Sequence, residues 1–168
     1  MRYVRVDTLA DLEAGISSLV DEARDHGLKP WLHLEGHGTA DETGFHVANG
    51  DHCTWVMLKD FITPLNIVSG FNLLLILATC FGSSFVRAIR TVDRAPILGL
   101  IGPKSEVKTG EVERGFVAFY RTFFEASSLR VAIEMLNSTV PDGLYYRTSA
   151  KHFFYDVWVS YKRDQCTL

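Results

Sequence analysis

The sequence predicts an α/β fold in which a mostly parallel central sheet is covered by helices on both faces. Short apolar segments of strand length alternate along the 168 residues with longer segments whose apolar residues recur at helical spacing. Within a strand predicted at residues 72–77, residues 73–77 are all apolar, which is typical of a central parallel strand. No repeat or low-complexity linker divides the chain, so we expect a single domain over residues 1–168.

Local signals locate the elements in the first half of the chain. A capping-box pattern at Thr8 and Asp11 begins a helix that Gly27 ends. Asn49-Gly50 predicts the turn of a β-hairpin, and Pro64 interrupts a helical pattern, which favours two short helical pieces. The predicted elements are a strand at 3–6, a helix from 8 to 27, a strand at 31–34, hairpin strands at 45–47 and 54–57, and helical pieces within 58–68.

The second half begins with the central strand and continues into helices rich in aromatic residues. Phe116, Phe119, Tyr120 and Phe123 recur at helical spacing, which indicates core packing rather than a ligand surface. Pro141-Asp142-Gly143 predicts a turn. The predicted elements are strands at 72–77, 97–101 and 144–147 and helices at 83–91, 110–124, 128–137 and 149–163.

A histidine and a cysteine each follow a predicted strand. His37 and Gly38 come after the strand at 31–34, and Cys80 comes after the strand at 72–77. Because the carboxyl ends of parallel strands lie side by side, residues far apart in sequence can meet at that edge of the sheet. A thiol needs a nearby base to act as a nucleophile at neutral pH, and a histidine can supply one.

These segments resemble the caspase-like cysteine peptidases, especially their CHAT group. In that family one strand ends in His-Gly and another in Ala-x-Cys followed closely by Gly, as Ala78-Thr79-Cys80-Phe81-Gly82 does here. The histidine precedes the cysteine by 43 residues (37 to 80), against about 50 in caspases. The resemblance continues through residues 95–102 and the helices up to 137. It implies a caspase-like three-layer fold, here as a minimal core.

The resemblance also implies roles for three residues. Cys80 would be the nucleophile and His37 the general acid and base, and the backbone N–H groups of Gly38 and Cys80 would form the oxyanion hole. A glycine at position 38 has its own physical rationale, because a substrate carbonyl can approach a backbone that carries no Cβ. A helix beginning at Ser83 would direct its N-terminal amides toward Cys80 and favour the thiolate.

The residue two positions before the nucleophile determines part of the substrate choice in this family. Caspases have a glutamine there and metacaspases an aspartate, whereas this chain has Ala78, which offers neither charge nor hydrogen bond. We therefore expect no strict cleavage after acidic or basic residues, and a pocket for a small or apolar residue is our hypothesis. Lys104, Glu106 and Lys108 in the polar loop 102–110 either supply a charge to the substrate-binding site or are solvated loop residues.

Composition and charge limit the location and the classes of partner. The net charge of −3 without a basic run predicts no nucleic-acid partner and no membrane partner. The longest apolar run is far shorter than the roughly 20 residues of a membrane helix, and early charges argue against a secretory signal. Three scattered cysteines, Cys53, Cys80 and Cys166, suit a reducing compartment. We expect a cytoplasmic protein that needs no cofactor.

Other polar residues have two interpretations. His33, His37, His46, His52 and Cys53 are of zinc-ligand type, but their spacing does not favour a metal site, and His33 fits a satisfied core histidine. The carboxylates that flank His37, Glu35 and Asp41, either orient its ring or lie at the surface, and we slightly favour the surface interpretation.

The sequence therefore predicts a cysteine endopeptidase that cleaves a protein substrate as a regulated effector, for example in bacterial defence or cell death. Its partners would include a sensor or activator protein or a second copy of the chain. The first alternative is a catalytically silent module that assembles with other chains, and a metal-binding or redox domain is the third hypothesis. The family commonly has a further strand and helix before residues 3–6. Either this chain is a minimal core, or part of its sheet comes from a partner or a longer parent protein, and an exposed sheet edge is then expected near its start.

Overall fold

Seven strands and four α-helices make up the described part of the computed structural model, which covers residues 2–90, 93–140 and 145–149. A short 3-10 helix, Gly82–Ala88, lies between the fifth and sixth strands. In chain order the other elements are Leu9–His26 (α1), Trp31–Glu35 (β1), His37–Gly38 (β2), Gly44–His46 (β3), His52–Thr54 (β4), Trp55–Val68 (α2), Leu74–Ala78 (β5), Gly99–Pro103 (β6), Thr109–Ala126 (α3), Leu129–Ser138 (α4) and Tyr145–Ser149 (β7).

The main sheet has the strand order β1-β5-β6-β7. Its first three strands are parallel, and β7 is antiparallel to β6. Alternate residues of the central strand face opposite layers: Leu75 and Leu77 pack with α1 and α2, whereas Leu74 and Ile76 pack with α3 and α4. The α/β class with helices on both faces is thus confirmed, and β2, β3 and β4 form a second, small antiparallel sheet.

The first helix follows the predicted signals. The Thr8 hydroxyl accepts a hydrogen bond from the Asp11 N–H at 3.1 Å, and the Asp11 carboxylate accepts one from the Thr8 N–H at 2.9 Å. Gly27 ends α1 with a φ of 63°, a left-handed conformation that glycine adopts without steric cost. The hairpin at Asn49-Gly50 is also confirmed, since β3 and β4 pair on either side of it.

Two predictions for residues 54–68 are wrong. Thr54 does not begin a strand over 54–57 but ends β4, and its hydroxyl accepts a hydrogen bond from the Met57 N–H at 3.2 Å, which caps α2. Pro64 does not divide the helix into two pieces. Pro64 is exposed while Ile62 and Leu65 beside it are fully buried, so the core holds both sides of α2 in one helix across the missing hydrogen bond.

The strand predicted at residues 3–6 is absent. Tyr3 is 88% exposed and Val4 is 55% exposed, so neither side chain packs into the core as a residue of a sheet strand would. The segment instead lies along α1 and the hairpin: Arg2 forms an ion pair with Glu22, and the Asn49 N–H donates to the Asp7 carbonyl at 2.9 Å. Among the described strands none pairs with the outer side of β1, which is therefore a sheet edge.

The remaining predicted elements differ mainly at their boundaries. The strands predicted at 72–77 and 97–101 begin two residues later than expected, and the helices predicted at 110–124 and 128–137 are α3 and α4. The predicted edge strand is β7. The predicted turn at 141–143 and residues 150–163 of the last predicted helix lie outside the described residues, and Ser149 belongs to β7. Within the described ranges, no helix combines the length and the apolar character that crossing a membrane requires.

Asn66 joins α2 to the central strand. Its buried side chain accepts a hydrogen bond from the Leu73 N–H at 3.0 Å and donates one to the Ala95 carbonyl at 2.6 Å. Its own carbonyl accepts the Phe71 N–H at 2.7 Å. One residue therefore fixes how the chain enters β5, the strand that leads to Cys80.

Replacing Asn66 with alanine should lower the free energy of unfolding by about 2–4 kcal/mol, because the Leu73 N–H and the Ala95 carbonyl lose their partners inside the protein. Urea unfolding measures this change. The matched control is Asn49→Ala in the exposed hairpin turn, where water replaces the lost hydrogen bonds and the change should stay below about 1 kcal/mol. Equal effects of the two variants would contradict the role of Asn66.

Candidate active site at the carboxyl edge of the sheet

The strands that precede His37 and Cys80 are neighbours and end at the same level. β1 and β5 pair in parallel from Trp31 opposite Leu74 to Glu35 opposite Ala78. Two residues after each strand end comes the residue that the sequence singled out, His37 on one side and Cys80 on the other. The register of the sheet therefore brings the two segments to one edge.

The backbones of Gly38 and Cys80 are in close contact. A Cβ atom built on Gly38 would lie 2.0 Å from the Cys80 carbonyl oxygen and 3.0 Å from the Cys80 Cβ. No side chain fits in this space, so position 38 requires glycine for a steric reason. The segment that carries His37 is thus packed directly against the turn that carries Cys80.

Cys80 lies in a tight turn between β5 and the 3-10 helix. Phe81, the next residue, has a φ of 56°, which is uncommon for a non-glycine residue, and the Gly82 N–H closes the turn on the Thr79 carbonyl at 3.1 Å. Backbone strain of this kind costs about 1–3 kcal/mol and clusters at functional sites. The turn presents Cys80 at the end of the strand.

The helix predicted at 83–91 is wrong in type and in length. The structure has a seven-residue 3-10 helix, Gly82–Ala88, in place of an α-helix that begins at Ser83. The chain turns so sharply at Phe81 and Gly82 that Gly82 packs against β6: a Cβ on Gly102 would lie 2.8 Å from the Gly82 carbonyl carbon. The expected α-helix dipole at Cys80 is therefore not present.

The Cys80 thiol contacts the loop between β6 and α3. The Val107 N–H donates a hydrogen bond to Sγ at 3.4 Å, and Sγ lies 3.7 Å from the Val107 carbonyl. The Phe81 N–H donates to the Ser105 carbonyl at 3.1 Å. This loop also carries Lys104 and Glu106, both exposed, so these predicted substrate-binding candidates lie in the loop that contacts Cys80.

His37 is exposed at the beginning of β2, opposite His46 of β3. Among the described residues, no hydrogen bond joins its ring to the Cys80 thiol, which engages Val107 instead. Catalytic hydrogen bonds are often loose before substrate binds, so this arrangement is compatible with a dyad that tightens around a substrate.

Among the described residues, no hydrogen-bond acceptor is found for the two backbone N–H groups predicted for the oxyanion hole. The Thr39 N–H donates to the Gly44 carbonyl at 3.0 Å, and in an antiparallel ladder hydrogen-bonded pairs alternate with non-bonded ones. Gly38 and Phe45 therefore form a pair without hydrogen bonds between them, and the Gly38 N–H points away from β3. Within the described residues, the Cys80 N–H also has no backbone or side-chain acceptor.

The two cysteines that the structure describes differ in environment. Cys53 is fully buried, and burial raises the pKa of its thiol to about 12, so it remains a protonated core residue. Cys80 is partly exposed and lies at the strand-end turn. Cys166 lies outside the described residues. Of the two described thiols, only Cys80 is positioned to react.

His33 is a half-buried histidine that packs against α3. Its Nδ1 is hydrogen-bonded to the Tyr120 hydroxyl at 2.7 Å, and its ring packs on Phe116 with the ring centres 4.5 Å apart. Its Nε2 is buried without a partner, and burial lowers the pKa of the imidazole to about 4. In residues 2–90, 93–140 and 145–149, no three His, Cys, Asp or Glu side chains are grouped closely enough to hold a metal ion.

The carboxylates on either side of His37 do not contact its ring. Asp41 is exposed and accepts hydrogen bonds from the Thr43 N–H and hydroxyl at 3.2 and 2.9 Å. Hydrogen bonds from Thr39 and Thr43 lower the pKa of this carboxyl to about 2. Glu35 is exposed at the end of β1. The surface interpretation fits both residues.

Two residues near the site were not found from the sequence. Tyr145 of β7 is buried, its hydroxyl has no partner among the described residues, and it lies opposite Pro103 at the same sheet edge. Burial raises its pKa to about 12, and the charges of Glu111, Glu35 and Cys80 add to the effect. The second residue, Glu42, contacts the 3-10 helix. Neither stands in a motif, since only the register and the loop conformation bring them to the site.

No family model matches this chain, and no curated protein is similar to it in sequence. The functional interpretation therefore depends on the geometry at the strand ends and on the motifs that meet there.

Replacing Gly38 with alanine should separate the histidine segment from Cys80, because the new methyl group would overlap the Cys80 carbonyl. We expect the free energy of unfolding to fall by about 1–3 kcal/mol, measured in urea. The matched control is Gly15→Ala on α1, where no atom lies within 4 Å of the added carbon and the better helix propensity should stabilise the protein slightly. A stability gain in both variants would contradict the close contact.

The buried imidazole of His33 predicts a loss of stability in mild acid. The unfolded histidine takes up a proton as the pH falls through about 6.5, whereas His33 in the folded protein stays neutral until its pKa of about 4. The free energy of unfolding should therefore decrease as the pH falls from about 6.5 to about 4, by roughly 3 kcal/mol at most, and His33 should cause no further decrease below that range. Urea unfolding from pH 7 to pH 4 should show a shallower decrease for His33→Gln, while the exposed-histidine control His46→Gln keeps the wild-type slope. Identical slopes for the wild type and His33→Gln would refute this assignment.

Proposed function

We propose that this chain is a cysteine endopeptidase with a caspase-like fold that cleaves a protein substrate through His37 and Cys80. The observation that carries the proposal is the packing of Gly38 on Cys80, which leaves 2.0 Å between a hypothetical Cβ and the Cys80 carbonyl oxygen. It brings a histidine segment, a strained cysteine turn and two unbonded N–H groups to one sheet edge.

In the proposed mechanism, His37 accepts the Cys80 proton and the sulfur attacks the carbonyl carbon of the scissile peptide bond. A C–S bond forms, and negative charge develops on the carbonyl oxygen, where the Gly38 and Cys80 N–H groups stabilise it. The C–N bond breaks as His37 returns its proton to the leaving amine. Water, deprotonated by His37, then hydrolyses the thioester and releases the second product with Cys80 restored.

We infer that the substrate pocket favours a small or apolar residue before the cut. Ala78 is only 2% exposed at the end of β5 and contributes neither charge nor hydrogen bond. Lys104 and Glu106 lie in the loop that contacts Cys80, and we propose that their charges modify this preference. We also propose that the enzyme acts in the cytoplasm and that a sensor or activator protein controls it.

The test compares the wild type with Cys80→Ala and His37→Ala. Each protein is incubated with native cell extract, and new protein N-termini are identified by mass spectrometry. We expect the wild type to produce new N-termini. Each variant should produce them at least about 100-fold more slowly, since removing the nucleophile or the general base raises the barrier to acyl transfer.

The matched controls are Cys53→Ala and His26→Ala, which change the same residue types away from the strand-end turn and should retain the cleavage pattern. Circular dichroism verifies that every variant is folded. New termini that persist in Cys80→Ala would rule out the proposed nucleophile.

A second candidate function is a silent interaction module, and the free side of β1 favours it. Beside this edge Val117 is 55% exposed and Phe124 is 74% exposed, next to a groove of about 320 Å³ that includes His33, Glu35 and Tyr120. Exposed apolar side chains beside an open strand are typical of a surface that binds another chain. This function predicts that Cys80→Ala changes nothing except stability.

A further inference from the structure

Glu42, in the loop between β2 and β3, links the histidine segment to the helix that follows Cys80. Its carboxylate accepts a hydrogen bond from the Ser84 hydroxyl at 2.9 Å and forms an ion pair with Arg87 at 2.7 Å. Its backbone carbonyl accepts a hydrogen bond from the buried Trp55 indole at 2.7 Å. One residue thus contacts the 3-10 helix through its side chain and α2 through its main chain.

The backbone of Glu42 is in an unfavourable conformation. Its φ is 60°, in the left-handed region where a residue with a Cβ costs about 1–2 kcal/mol. Such a conformation persists where surrounding contacts hold it, and here the Glu42 N–H donates to the Thr39 carbonyl at 3.0 Å while the indole holds the carbonyl. A left-handed turn at this point directs the carboxylate to the nucleophile segment rather than to water.

The 3-10 geometry of the receiving helix suits this contact. Ser84 and Arg87 are three residues apart, and in a 3-10 helix residues at this spacing lie directly above one another. Both can therefore reach the same carboxylate.

We propose that Glu42 is a positioning residue that holds the Cys80 turn against the His37–Gly38 segment. The inference rests on the proposed His37–Cys80 dyad and extends it. The chain forms a closed loop of contacts: from Gly38 through residues 39–41 to Glu42, from Glu42 to Ser84 and Arg87, and from the 3-10 helix back through Phe81 to Cys80, whose carbonyl lies against Gly38. Replacing the Glu42 carboxylate breaks this circuit of contacts at Ser84 and Arg87, while the side chains of His37 and Cys80 remain unchanged.

The test measures the rate at which iodoacetamide alkylates Cys80 between pH 5.5 and 8.5, with the Cys80 peptide followed by mass spectrometry. Cys53 is buried and serves as an internal standard for folding. The part of the rate that disappears in His37→Ala is the His37-dependent reactivity. If Glu42 had only a structural role, its replacement would not change the His37-dependent part of the Cys80 alkylation rate. A change in that part of the rate therefore reports on how His37 and Cys80 are positioned.

We expect Glu42→Ala to lower the His37-dependent alkylation rate near pH 6.5 by at least about tenfold. Glu42→Gln should retain part of this rate, since an amide still accepts the Ser84 hydrogen bond. Arg87→Ala should behave like Glu42→Gln. The matched control is Glu134→Ala, which removes a glutamate from another surface ion pair, with Arg130, and should keep the wild-type profile.

The outcomes separate this inference from the proposed function. A wild-type profile in folded Glu42→Ala overturns the positioning role and leaves the dyad intact. Equal alkylation rates in wild type and His37→Ala overturn the dyad, and the role of Glu42 with it. If Glu42→Ala fails to fold, Glu42→Gln and Arg87→Ala decide: reduced His37-dependent reactivity supports the inference, and unchanged reactivity overturns it.

Discussion

The parallel pairing of β1 with β5 is the constraint on which the rest of the structure depends. Five consecutive pairs, from Trp31–Leu74 to Glu35–Ala78, bring the ends of two strands to one level. The apolar side chains of β5 secure this register, because they alternate between the α1–α2 layer and the α3–α4 layer, and a shift by one residue would exchange the two faces. Everything proposed for the site follows from those two strand ends being neighbours.

Backbone conformation determines the rest of the site. Phe81 and Glu42 both adopt positive φ values without being glycine, and they lie on opposite sides of the contact between Gly38 and Cys80. The first turns the chain sharply directly after Cys80, and the second directs a carboxylate to the 3-10 helix that follows. Two strained residues around one small region indicate that the position of Cys80 is maintained against a conformational cost.

Burial distinguishes residues that look alike in the sequence. Cys53 and Cys80 are both single cysteines, yet one has its thiol pKa raised by burial and the other lies in an accessible turn. His33 and His37 are four residues apart, and the first is enclosed by Phe116 and Tyr120 while the second is exposed. The sequence suggested both differences, because His33 lies within a predicted strand while His37 follows it, and Cys80, unlike Cys53, belongs to an Ala-x-Cys motif after a strand.

The sequence by itself determined the α/β class, the hairpin, the caps of α1, the amphipathic helix α3 and the order of the histidine and cysteine motifs. These features depend on neighbouring residues: a capping pair, an Asn-Gly turn, or a period of apolar side chains. It failed at residues 3–6, at Pro64 and at 83–91, where distant contacts or solvent exposure outweighed local preference. Only the tertiary structure decided that Tyr145 and Glu42 approach the site and that Gly38 lies against Cys80. Those contacts join residues more than 40 positions apart, and they exist only after the sheet has set its register.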